Sequence, residues 1–210
     1  MNDYLFTTVI GSHVWRMNRP DSDYDLFSVY VAPTRDLLMG TAKARSDHMQ
    51  SPEEDRAVHE LSTFIGQLVK GNFNYVTALY SPIVKEGQEN IDAIRNIVPL
   101  PYANIYHSTK GLCECNLQKY ITSGGLVEGT KEYTKKINVI ARTALFTTNI
   151  LTRGVIAFEP VDATLNDVHT YMDALEDAYK TTTLPEQMPK EKERELREWM
   201  MNIRLSQLKV

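Results

Sequence analysis

Two acids, Asp23 and Asp25, stand one residue apart in the stretch VIGSHVWRMNRPDSDYDLFSVYV, at the head of an apolar run. Alternate residues of a strand point the same way, so a strand beginning there sets both carboxylates on one face. Like charges that close repel, and one of them takes up a proton unless something positive sits between them. Mg²⁺ (or Mn²⁺) meets that need. It prefers oxygen ligands and is held by a few carboxylates together with substrate phosphates. Upstream in the same stretch lies Gly11-Ser12, a small pair that opens backbone N–H groups and a hydroxyl to an anion. A helix starting there adds a positive dipole for the β- and γ-phosphates. Nucleotidyl transfer needs these parts: a triphosphate cradle, divalent metal, and an acceptor hydroxyl placed in line. A third carboxylate is then expected on an adjacent strand. Asp55, in EEDRAVHEL, is the first choice, with Glu53, Glu54 and Asp47 as alternatives.

Basic residues extend the motif. Arg16 and Arg19 fall in the loop that would cover the phosphates, where plain surface charge is an equal reading. Between Lys110 and Arg153, bases outnumber acids in a chain whose net charge is −4. Lys131, Lys135, Asn138, Arg142 and Asn149 recur at helical spacing, a stripe suited to a triphosphate or an acceptor and equally to a solvated face. The histidines are scattered and suggest no metal cluster. Trp15 and Tyr24 are expected to pack rather than to stack on a base.

The elements that position these residues read as follows. Residues 4–10, rich in β-branched and aromatic types, form a strand. GSHVWRMNRPDS is a loop, opening with a helical turn, and DYDLFSVYVAP is a second strand stopped by Pro33. Residues 34–51 are polar, a hairpin excursion or a loop, and DRAVHEL is a short strand running into a helix. Leu61, Phe64, Ile65, Leu68 and Val69 define that helix, closed by Gly71-Asn72. Residues 88–98 form another, and Pro99 and Pro101 mark a domain boundary. Beyond them the periodicity is helical throughout: 102–122, 131–153, a segment capped by Thr164 with Asp167 three residues on, and a charge-rich last helix whose Leu196, Trp199, Met200 and Ile203 should dock. The fold class is therefore α/β (α+β), a small mixed sheet with helices on one face followed by a C-terminal helical bundle. The domains are 1–98, catalytic, and 99–210, helical and closing over the nucleotide.

The chain's 210 residues, 42% of them hydrophobic, suffice for a core without disulfides or structural metal. Cys113 and Cys115 lack zinc-site spacing and read as thiols on a helix. Few cysteines, no signal peptide and no transmembrane run point to the cytoplasm and away from a membrane. The negative net charge restricts any polyanion site to a local patch.

Gly-Ser, ten residues, then Asp-Tyr-Asp resembles the signature of the DNA polymerase beta-like nucleotidyltransferase superfamily. The longer string GSHVWRMNRPDSDYDLFSVYVAP is similar to the branch that includes RNA-repair-associated members. The similarity continues through DRAVHELSTFIGQLVKGNFNYVTALYSP and, more weakly, KKINVIARTALFTTNILTRGVIAFEP. It implies that Gly11 and Ser12 bind nucleotide phosphates, that Asp23 and Asp25 hold both metals, and that Asp55 joins the catalytic metal and helps deprotonate the acceptor. It implies an NTP substrate and a hydroxyl acceptor that is an RNA end, a protein or a small molecule. One position departs from the pattern: the Gly-Ser-x-x-x-Gly turn ends here in Arg16. That substitution supplies a phosphate-binding cation or marks the alternative reading, a catalytically silent module that binds nucleotide or a partner protein.

Overall fold

A computed structural model describes residues 4–20, 22–42, 45–50 and 54–208. Five strands form one sheet: β1 (Tyr4–Ile10), β2 (Tyr24–Tyr30), β3 (Ser46–Gln50), β4 (Glu54–Glu60) and β5 (Val84–Glu86), in the order β3-β4-β2-β1-β5. β2 and β4 run parallel and the other pairs antiparallel, so the sheet is mixed. Helices α1 (Thr34–Leu38), α2 (Leu61–Val69), α3 (Phe73–Tyr80) and α4 (Gln88–Ile97) are threaded among the strands. Then follow α5 (Ile105–Asn116), α6 (Lys131–Arg153), α7 (Leu165–Thr181) and α8 (Lys190–Ser206).

The chain divides into two compact units. The first comprises residues 1–70, 74–99 and 188–210, the second residues 71–73 and 100–187. In the first, Phe6 and Phe27 lie on one sheet face and meet Phe64 of α2, with ring centroids 5.2 and 6.0 Å apart. The 3.6-residue repeat of α2 buries Leu61, Phe64, Ile65 and Leu68. α8 packs on α2 and α4, and its Leu196 is fully buried. The segment 188–210 therefore belongs with the sheet, whereas the sequence placed everything after residue 98 in one helical domain. Amphipathic spacing shows that a helix docks, but not on what.

The second unit is a bundle of α5, α6 and α7 around Tyr106, Cys113, Ile140, Ala144, Val168 and Leu175. α7 opens with the expected capping box: Asp167 N donates to Thr164 Oγ1, and Thr164 N donates to Asp167 Oδ2. Small elements differ from the expectation. Residues 34–38 are helical, and β5 adds a three-residue edge strand. Both are too short to show a period. Among the described residues no helix is long and apolar enough to cross a membrane.

Candidate active site

β1 ends at Ile10, and Gly11 turns the chain with φ 69°. A Cβ at Gly11 would lie 1.8 Å from Asp25 Oδ2. The carboxylate thus rests against bare backbone, which only glycine allows at this φ. Strand register assembles the rest: Ile10 is the partner of Asp25, and Asp25 of Asp55. Directly paired residues share a face. A Gly-Ser turn and two carboxylates are therefore gathered on three neighbouring strands. Among the described residues Asp55 Oδ1 is buried without a hydrogen-bond partner. Its near neighbour His48 Nε2, 2.5 Å away on β3, lacks hydrogen-bond alignment. A carboxylate oxygen with no aligned donor, beside a second carboxylate, fits a hard cation, and one or two carboxylates suffice for Mg²⁺ when phosphates and water complete its shell.

The other acids separate by position. β2 begins at Tyr24, and Asp23 lies exposed immediately ahead of the strand. Among the described residues no group of three or more His, Cys, Asp or Glu side chains is gathered for a metal ion. Glu54 alternates to the opposite face and accepts from Arg56 Nε at 2.7 Å. The Asp47 carboxylate accepts from His48 N at 2.8 Å. Glu53 lies outside the described residues.

The loop after β1 opens with the expected helical turn, a short one. Gly11–His13 is a single 3₁₀ turn, too short to carry the dipole of a full helix. Ser12 is half-buried, and its carbonyl accepts from Met17 N at 2.9 Å. Arg16 has φ 55°, the one non-glycine with positive φ among the described residues. The arginine therefore takes up the left-handed turn that a glycine would make at this position. Its side chain and that of Arg19 are exposed. Lys135 and Arg142 belong to α6 in the second unit; Lys135 is exposed and Arg142 half-buried. The stripe between them is broken by Asn138, which is buried and accepts from Ala163 N at 2.9 Å.

Three residues near the motif were given no role by the sequence reading. His48 abuts Asp55 through the β3–β4 hairpin, a pairing that only register reveals. The His13 ring stacks on Tyr24 at 4.1 Å, and Lys85 Nζ lies 4.6 Å from the same ring. Tyr24 faces a cleft of about 700 Å³ on the other side of the sheet, lined also by Leu26, Glu54, Arg56, Lys85 and Glu86. There Arg56 Nη1 donates to Ser28 Oγ at 2.7 Å, Ser28 and Thr7 share a 2.8 Å bond, and Thr7 donates to Glu86 at 2.6 Å. Strand alternation in YDLFS and EDRAV carried that signal. His59 and Trp15 are structural. Burial lowers the His59 pKa, and its Nδ1 lies 2.8 Å from Ser46 Oγ and 3.0 Å from the Tyr75 hydroxyl. Trp15 is buried in the core. Of the two thiols, Cys113 is buried, which pushes its pKa up to about 12, and Cys115 is exposed.

A mixed sheet with helices on one face, a Gly-Ser turn after the first strand and carboxylates on its neighbours define a polymerase beta-like nucleotidyltransferase fold. Residues 3–205 match the RNA repair pathway DNA polymerase beta family, and the chain belongs to that family. No curated protein matches it at a significant level.

Proposed function

We propose that the protein is a Mg²⁺-dependent nucleotidyltransferase that moves a nucleoside monophosphate from an NTP to the hydroxyl of an RNA end. The observation that carries this reading is the approach of Asp25 to the bare backbone of Gly11, with Asp55 as its register partner. Asp25 and Asp55 would hold the metal, which when bound supplies charge neutralisation at the phosphates. The Gly11-Ser12 turn, with Arg16 beside it, binds the triphosphate. The acceptor oxygen attacks the α-phosphorus, the bond to the bridging oxygen breaks, and pyrophosphate leaves with the electron pair. The acceptor proton passes to Asp55, whose Oδ1 lies beside His48 Nε2.

Calorimetry with Mg²⁺ and each NTP tests the site. Wild type should bind at least one NTP only when metal is present. Asp25→Asn/Asp55→Asn should lose that binding while keeping its unfolding transition. Absence of metal-dependent binding, or equal binding by the double variant, overturns the reading. Arg16, standing where the family's turn ends in glycine, favours a second reading, a nucleotide-binding module without turnover. It predicts Mg²⁺–NTP binding with no transfer of α-labelled nucleotide to a 3′-hydroxyl RNA.

A further inference from the structure

The lysines of the second unit fall into two groups. Lys110 and Lys180 are neutralised, with Nζ 3.5 Å and 3.0 Å from the Glu176 carboxylate. Lys119, Lys131, Lys135 and Lys136 have no carboxylate within ion-pair distance among the described residues. Two of these four converge on one ring: Lys119 Nζ lies 4.9 Å and Lys136 Nζ 4.1 Å from the Tyr120 centroid. Tyr120 is half-exposed and sits in a π-helical turn, Leu117–Thr122, that continues α5. Such turns are rare and gather at functional positions.

The arrangement works against the helix that carries it. Lys131 opens α6, where the macrodipole is already positive and cations are disfavoured, and Lys135 and Lys136 follow in its second turn. Glu132 is the one acid in the first turn. The hydroxyl of Tyr120 registers the same field, its pKa lowered by the adjacent Lys119 and further by Lys136. Bound anions would relieve this excess. The chain's net charge of −4 limits the footprint to a short one.

We propose that this end of the second unit docks single-stranded RNA, with phosphates on Lys119, Lys135 and Lys136 and a base stacked on Tyr120. The exposed Lys119 ammonium leaves the ring for a phosphate as the base takes its place. Aromatic faces bordered by lysines suit single strands because every base has a π-face, whereas duplexes present none. That this strand is the acceptor rests on the nucleotidyltransferase reading; its binding does not.

The test is fluorescence anisotropy with an end-labelled eight-nucleotide RNA, without NTP or metal, across a salt series. Wild type should bind with a steep salt dependence. Lys119→Gln/Lys136→Gln should make the slope of log K against log salt shallower by about 1.4, since each phosphate neutralised on a single strand contributes about 0.7. Tyr120→Leu should weaken binding by about fivefold or more and Tyr120→Trp should restore it. Lys180→Gln, which removes an ion-paired lysine, should change nothing. No binding by wild type, unchanged binding by a folded lysine double variant, or capture of phosphatidylserine vesicles in place of RNA overturns the proposal. If Mg²⁺–NTP binding persists while RNA binding fails, only this surface falls; if RNA binds and Mg²⁺–NTP does not, only the carboxylate site does.

Discussion

At Gly11 a single methyl group would collide with the Asp25 carboxylate, and the positive φ would strain any side chain placed there. Left-handed backbone costs a non-glycine residue about 1–2 kcal/mol before the clash is counted. Gly11→Ala is therefore expected to lower stability by more than that and to abolish metal-dependent NTP binding, read by denaturant unfolding and calorimetry. Arg16 is the converse. Its φ of 55° carries the same strain. Arg16→Gly should recover about 1–2 kcal/mol of strain against about 0.5–1 kcal/mol of added chain entropy. A net gain in stability with weaker NTP binding is the expected pair of results. Equal NTP binding would remove Arg16 from the phosphate site. The motif glycine was legible in the sequence because its neighbours name it. The conformation of Arg16 was not, since nothing in an arginine announces a left-handed turn.

Among the elements, register chose between carboxylates that composition left equivalent. Glu54 and Asp55 are adjacent in the chain, yet one bonds Arg56 on the open face and the other pairs with Asp25. The strands and long helices were legible from their periods. α1 and β5 were not, having five and three residues. The junction of β4 and α2 supplies a further test. Glu60 is fully buried, caps α2 through Ser62 N at 2.7 Å, and pairs with Arg204 of α8 at 2.5 Å. Burial pushes the Glu60 carboxyl upward, but hydrogen bonds from Ser62 and Arg204 outweigh it and hold the pKa below its ordinary 4.5. A depressed carboxylate contributes stability above its unfolded pKa and loses it as pH falls through the folded value. Arg204→Ala strands a buried charge and should cost about 3 kcal/mol at neutral pH. That difference should shrink below pH ~4.5 as Glu60 protonates. A difference independent of pH would show that packing of α8, rather than the ion pair, holds the helix.

For the whole molecule, the division into units departs from the order of the chain. The first unit is built from residues on both sides of the second, so residues 100–187 are an insertion within it. The proline boundary near residue 99 was legible as punctuation, but the return of the chain after residue 187 was not. Charge is distributed unevenly too: a chain of net −4 keeps lysines beside Tyr120 that have no ion-pair partner among the described residues. Composition reports the first of these facts and hides the second, because a sum over the chain averages out a local excess.

The placement of α8 also bears on how the protein is made. Synthesis delivers β1 to β5 first, the whole of the second unit next, and Arg204 after it. Domains fold as units during synthesis. Until α8 leaves the ribosome, Glu60 lacks the Arg204 cation, and α2 and α4 lack the helix that packs on them. The inserted helical unit can thus complete its core first, and the unit carrying Asp25 and Asp55 is the last to close. An early stop in translation would release a finished bundle tethered to an unfinished sheet.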